Sequence, residues 1–264
     1  PIPLIRATLA IHAVSCAALA VEPAWWGWAV GAVAANHSLI GLAVAFPRSR
    51  WLGSNLTRLP PAAVARREIA LTFDDGPDPN VTPRVLDMLD TFGARATFFC
   101  IAKNAQDHPS LVQEIVRRGH DVENHSYRHS LGFALYTPTQ QACDIDKAQA
   151  ALTEITQRAP RFFRAPAGMR GPLLDPILQQ RGLSYISWTR RGFDATERHP
   201  ARVLSRLTRK LAAGDILLLH DGGAAMAASG QSVVLEVLPR LLSEIAACKL
   251  TCVTLTRAFE EATA

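Results

Sequence analysis

Two neighbouring carboxylates, Asp74 and Asp75, close a short apolar run and are followed at once by Gly76 and Pro77. Two imidazoles stand four residues apart in His125-Ser126-Tyr127-Arg128-His129, and a third, His220, ends the apolar run 216–219 just before Asp221. Read singly, each has an ordinary explanation. Asp-Asp-Gly-Pro is a turn former, and a lone imidazole at a strand end is more often a satisfied structural group. Together they have a chemical reading. Histidines at i and i+4 share one face of a helical turn and can reach one ion. With Asp75 they supply three nitrogen and oxygen ligands, the set catalytic zinc sites use while a position stays open for water. Asp74 would stand beside that water. His220 offers a proton donor that titrates near neutrality, which amide hydrolysis needs because the departing amine must be protonated. Arg164, in Arg164-Ala165-Pro166-Ala167-Gly168, is either a surface charge or the partner that favours the carboxylate form of an Asp.

The elements that must position these groups alternate regularly. Apolar strand-like runs are expected at 68–73, 96–101, 120–124, 161–164, 183–187, 215–220 and 250–255. Helical patterns fall between them. Thr82 is expected to cap one helix with Pro83 in its first position, and Thr137-Pro138-Thr139-Gln140 reads as a capping box opening a helix to about residue 157. About seven strands alternating with helices imply a parallel sheet, closed as a barrel or open and doubly wound. No glycine-rich nucleotide loop is present. The polar clusters recur just after strand ends. In a parallel barrel those ends converge on one face, where active sites sit.

Before this alternation the chain is apolar. From 7 to 21 the only strongly polar side chain is His12, and from 24 to 46 there is no formal charge. The second stretch exceeds the roughly 20 residues a bilayer span needs, and Trp25, Trp26 and Trp28 near its start suit the water–lipid boundary. The alternative is a cleaved signal peptide. No small-residue cleavage site precedes a polar mature start, so retained membrane helices are expected. Arg6, Arg48 and Arg50 flank the open ends of such a hairpin while its turn carries Glu22, which favours a cytoplasmic catalytic domain. The organisation expected is 1–47 as membrane-anchoring segments, 48–67 as a linker and 68–264 as the catalytic domain. A net charge of +5 without a dense basic stripe argues against nucleic acid as a partner. The five Cys are spaced neither as a disulfide framework nor as a metal knuckle.

Thr-Phe-Asp-Asp-Gly-Pro at 72–77, the His125–His129 pentad, the Arg164–Gly168 pentad and Leu-Leu-Leu-His-Asp at 217–221, in this order, resemble the motifs of the polysaccharide deacetylase family. This is the NodB-homology domain, carbohydrate esterase family 4, and the resemblance covers about residues 68–256. It implies an α/β fold, a distorted (β/α)7-type barrel, behind the N-terminal transmembrane helix or hairpin. It also implies a divalent metal, usually zinc. By resemblance, Asp74 is the general base, and Asp75, His125 and His129 are the metal ligands. Arg164 positions the base, His220 is the general acid, and Asp194 raises the acid's pKa. The backbone N–H of Ala167 would face the oxyanion, with Pro166, Gly168 and Arg191 completing the substrate site. The chain departs from the family pattern at three places. Ala167 replaces the usual Tyr, Ala195 a common Trp, and Arg191 a frequent Asp, so two aromatic walls for sugar stacking are expected to be lost. Arg190 and Arg191 either meet a phosphate or are solvated charges. The implied activity is hydrolysis of the N-acetyl group of a cell-envelope or lipid-linked amino sugar. Removal of a formyl group or an O-acetyl ester, and a catalytically inactive glycan-binding barrel, are the alternatives.

Overall fold

The computed structural model describes residues 2–260; the expected catalytic domain's last residues, 261–264, lie outside them. The chain opens with two antiparallel apolar helices, α1 (Pro3–Val21) and α2 (Trp26–Ala45), joined by one 3-10 turn (Pro23–Trp25). Both are long and apolar enough to cross a membrane and are almost wholly exposed. Asn36 and Thr8 hydrogen-bond between them, Nδ2 to Oγ1 at 3.0 Å. After a short helix α3 (Pro61–Ala65) the alternating part begins. It runs β1 (Glu68–Asp74), α4 (Thr82–Thr91), β2 (Ala96–Cys100), α5 (Ala102–Asp107), α6 (Pro109–Arg117), β3 (Asp121–Asn124), α7 (Pro138–Thr156), β4 (Phe162–Phe163), α8 (Leu174–Gln179), β5 (Ser184–Tyr185), β6 (Arg190–Arg191), α9 (Pro200–Thr208), β7 (Ile216–His220), α10 (Val233–Ala247), β8 (Thr251–Cys252) and α11 (Leu255–Glu260).

All strand pairs are parallel, in the order β5-β4-β3-β2-β1-β7-β6, with β8 beside the first residues of β1. β1 is buried at every position, as a central parallel strand covered on both faces should be. Its alternation separates two cores. Ile69, Leu71 and Phe73 pack outward against the helices, and Ala70 faces inward with Phe99, Phe162, Ile186, Trp188 and Leu218. This is the distorted α/β barrel the sequence led us to expect.

The sheet does not close through β5 and β6. Residues 55–59, ahead of β1, cross that gap. Leu56 pairs in parallel with Ile186, its N–H donating to Tyr185 O (3.0 Å) while its carbonyl accepts from Ser187 N–H (2.9 Å). Leu59 N–H then donates to Gly214 O at 2.9 Å. Leu52, Leu59 and Ala63 are buried, so the segment read as a linker packs as part of the barrel wall.

Local expectations fared unevenly. The capping box is formed, with Gln140 N–H on Thr137 Oγ1 and Thr137 N–H on Gln140 Oε1. Thr82 does not cap α4. Its hydroxyl accepts from Asp78 N–H (2.8 Å) and donates to buried Asp221 Oδ2 (2.6 Å), because Val81 already holds the cap position. The strand expected over 161–164 is only Phe162–Phe163, and β6 and α5 were not anticipated. Two-residue strands and single-turn helices leave too few residues for a periodic signal.

Candidate active site

Asp74 lies on the inward face of β1, two residues beyond Thr72, and so projects into the mouth of the barrel. Asp75 adopts a left-handed φ of 72°, which turns its carboxylate away from its neighbour's direction. His125 to His129 is not the helical turn that the i, i+4 spacing suggested. Ser126 (φ 67°) and His129 (φ 51°) are left-handed, a conformation that breaks a helix, and side chains hold the loop instead. Asn124 Oδ1 accepts from Ser126 N–H (2.8 Å), and Ser126 Oγ from His129 N–H (3.0 Å). The imidazoles converge all the same. Asp75 Oδ1 lies 3.2 Å from His125 Nε2 and 3.1 Å from His129 Nε2.

The donor chemistry fits a cation. His125 Nδ1 is 2.8 Å from the Arg164 carbonyl, which can only accept, so Nδ1 carries the hydrogen and Nε2 is the atom left to face a cation. Burial works against a charge on the ring, but Asp74 and Asp75 outweigh it and raise its pKa. Asp75 Oδ1 is buried without a well-aligned donor. One carboxylate oxygen of Asp75 and one ring nitrogen each from His125 and His129 lie within 4.8 Å of one another. Burial pushes the Asp75 carboxyl upward, but the nearby His125, His129 and His220 outweigh it and bring it down to about 2. An N₂O set with an open side suits zinc and similar divalent ions.

Beneath this cluster Arg164 is wholly buried, its guanidinium 4.1 Å from the Phe99 ring centre. Nη1 donates to Asp74 Oδ1 (2.6 Å) and Thr72 Oγ1 (2.9 Å), and Nη2 to Ser187 O (3.0 Å). The surface-charge reading of Arg164 therefore falls. One Asp74 oxygen is fixed, and Oδ2 is left 3.8 Å from His125 Nε2.

Across the cleft, Phe193 (φ 64°) turns the chain after β6 so that buried Asp194 meets the end of β7. Asp194 Oδ2 accepts the backbone N–H of His220 (2.7 Å), and Oδ1 lies 3.0 Å from His220 Nδ1. Burial works against a charge on His220. Asp194, through its hydrogen bond and its charge, with Asp74 and Asp75 further off, overcomes this and pushes the pKa up to about 9. The next residue, Asp221, is buried, and that burial pushes its carboxyl up to about 7. A Cβ on Gly76 would lie 2.2 Å from Asp221 Oδ2, and one on Gly222 would lie 2.3 Å from Asp75 O. Only glycine lets the β1 and β7 loops close on each other.

A cleft of about 410 Å³ joins the two sides. Asp74, Asp75, His125, His129 and His220 line it together with Ala167, Gly168 and Arg191, while Pro166 is buried behind them. Ala167 is left-handed (φ 54°) in its turn. The expected loss of aromatic walls is only partial, because Trp188 and Phe193 flank the cleft and Arg191 stacks 3.9 Å from the Phe193 ring centre. Trp188 directly follows an apolar run, the phase that marked the other site residues, and could have been found by it. Arg190 points elsewhere: it pairs with Asp215 at 2.6 Å and with carbonyls at the end of α9. Successive strand residues face opposite ways, so only one of the two arginines can serve the cleft.

Residues 62–186 match the family model described as Polysaccharide deacetylase. A peptidoglycan-N-acetylglucosamine deacetylase of Bacillus cereus is 30% identical over 179 residues, covering 67% of this chain and 81% of that protein. A chitooligosaccharide deacetylase of a Bradyrhizobium species is 33% identical over 157 residues, covering 59% and 71%. Among solved structures, a CE4 family pseudoenzyme from Bacillus anthracis superposes with a TM-score of 0.69 at 21% identity, covering 78% of this chain and 68% of that one. That last likeness speaks for the fold alone.

Proposed function

Since this chain belongs to the polysaccharide deacetylase family, we propose that it is a metal-dependent hydrolase removing the N-acetyl group from an amino sugar of a cell-envelope or lipid-linked saccharide. One observation carries the reading. The Asp75, His125 and His129 cluster, with Asp74 beside it, faces an imidazole–carboxylate pair, His220 and Asp194, across a single cleft. The named relatives act on N-acetylated sugars, and the same chemistry is assigned here to these side chains.

Asp75, His125 and His129 would hold a divalent cation, zinc by preference of the donor set. Bound there, it supplies Lewis-acid polarisation of an amide carbonyl and acidifies water. Asp74 accepts the proton of the attacking water through Oδ2, since Arg164 holds Oδ1. Arg164 thereby fixes the carboxylate in one rotamer. His220, its Nδ1 tied to Asp194, presents Nε2 to the cleft and gives its proton to the departing nitrogen. The backbone N–H of Ala167 adds a dipole where the carbonyl oxygen gains charge. Water oxygen bonds to the acyl carbon, the C–N bond breaks, and acetate and a free amine leave. Trp188 and Phe193 offer faces to the sugar.

The apolar hairpin α1–α2 anchors the enzyme in a membrane, and Arg6, Arg48 and Arg50 at its open ends favour the cytoplasmic side. A reporter fused within the barrel and active only beyond that membrane overturns the sidedness. For the chemistry the test is Asp74→Asn and His220→Ala. Each lowers acetate release by at least about 10²-fold. Near-wild-type turnover by either variant rejects the role given to that residue.

A further inference from the structure

The cleft does not end at Arg191. Trp188 and Arg191 also line a second cavity of about 320 Å³ with Phe46, Pro47, Arg48 and Ser49. Phe46 and Ser49 in turn line a third, of similar size, with Leu42, Ala43, Arg50 and Trp51. Three hollows with shared walls thus form one track from the catalytic cleft to the end of α2. The character of the track changes along it. The cleft carries the ionisable groups, Arg48 and Arg191 line the middle, and the far end is lined by Leu42 and Ala43 of α2, a helix apolar enough to cross a membrane, with Phe46, Arg50 and Trp51 just beyond it.

Geometry fixes the middle section against the cleft. A Cβ on Gly168 would lie 2.6 Å from Trp188 and 3.0 Å from Pro47, so the end of the hairpin packs on the cleft wall itself. Asn55 Nδ2 donates to Pro47 O (2.9 Å) and Ser49 O (3.0 Å), and Arg48 Nη1 donates to Thr189 O (3.1 Å). Arg48, Arg50 and Arg191 have no carboxylate partner among the described residues. Most of the other arginines on this barrel do. Three guanidinium groups without a carboxylate partner, along a track between a sugar-sized cleft and an apolar helix end, are matched by an anion with a lipid tail.

Resting on the deacylase reading above, we infer that the substrate is an amino sugar joined through phosphate to a long apolar chain. The sugar enters the cleft, the phosphate lies between Arg191 and Arg48, and the chain runs along Leu42, Phe46 and Trp51 into the bilayer. Because the middle cavity shares Arg191 and Trp188 with the cleft, the sugar that reacts is the one nearest the phosphate.

The full chain in detergent micelles is assayed for acetate release on three probes. These are N-acetylglucosamine 1-phosphate esterified to farnesol, farnesyl N-acetylglucosaminide without phosphate, and soluble N-acetylglucosamine 1-phosphate. The first is expected to have the lowest KM. Arg48→Ala raises that KM about tenfold, the worth of one charge-assisted contact, and leaves the phosphate-free probe unchanged. Equal KM values for the first and third probes mean an anion subsite only and overturn the lipid assignment. An Arg48→Ala KM equal to wild type on every probe overturns the track, while acetate release itself leaves the deacylase reading standing. Should no probe release acetate, the deacylase reading fails instead. The track is then judged by native mass spectrometry of the chelator-treated chain with the first probe. Weaker retention by Arg48→Ala supports it, and equal retention rejects it.

Discussion

The two walls of the cleft are built from the same parts and do different work. On the β3 side His125 is anchored through Nδ1, and on the β7 side so is His220. Each presents Nε2 to the cleft. The difference is the anchor. His125 leans on a backbone carbonyl, which fixes the hydrogen on Nδ1; burial opposes a charge on this ring but Asp74 and Asp75 raise its pKa, so a cation bound at Nε2 is what would hold it neutral. His220 leans on a buried carboxylate that favours the charged ring and makes it a proton donor. In the proposed mechanism, role is therefore set by the group behind each ring. A histidine's type says little here, and the atom behind its Nδ1 says most.

Substitutions can break this comparison cleanly. The largest effects come from single-residue deletions on each wall. His125→Ala should lose both bound metal and turnover, and added divalent ion should not restore either to the wild-type level. His220→Ala should lose turnover by at least about 10²-fold and keep its metal. Metal content measured beside acetate release separates the two, and equal metal loss in both would erase the distinction. Next in size is Arg164→Met, which strands Asp74 in a buried position. Breaking a buried pair from one side costs about 3–5 kcal/mol, seen as a lowered denaturation midpoint. Asp194→Asn is subtler. Asp194 raises the pKa of His220, so its removal lets the acid lose its proton at lower pH. The descending limb of the kcat–pH profile should move down, with metal content unchanged. An unmoved limb would detach Asp194 from the acid. Smallest is Thr82→Val, which removes the hydrogen bonds to Asp221 and from Asp78 N–H and should cost about 1–3 kcal/mol with little effect on turnover.

Much of this was legible in the residues, and unevenly so. The long strands β1, β2 and β7 and the helices between them were readable because burial imposes a pattern over five residues or more. The site residues were readable because they follow strand ends in step, and the structure brings Asp74, Asp75, His125, His129, Arg164, Asp194 and His220 to one mouth. What stayed hidden depends on partners distant in sequence. Thr82 looks like a cap until Asp221, 139 positions away, claims its hydroxyl. His125 and His129 look helical because spacing carries no sign of the left-handed Ser126. Arg190 and Arg191 look equivalent until strand alternation sends one to Asp215 and the other to the cleft. Residues 55–59 look like connecting chain because they carry no strand pattern of their own.

That last segment sets a timetable. It emerges from the ribosome ahead of every strand, yet its neighbours, Ile186 and Gly214, are made more than a hundred residues later. The barrel cannot be sealed until synthesis is nearly complete, and closing so long a loop slows folding. A shortened version starting at residue 62, where the family match begins, would arrive without its last stave. One starting ahead of Leu52 would keep it.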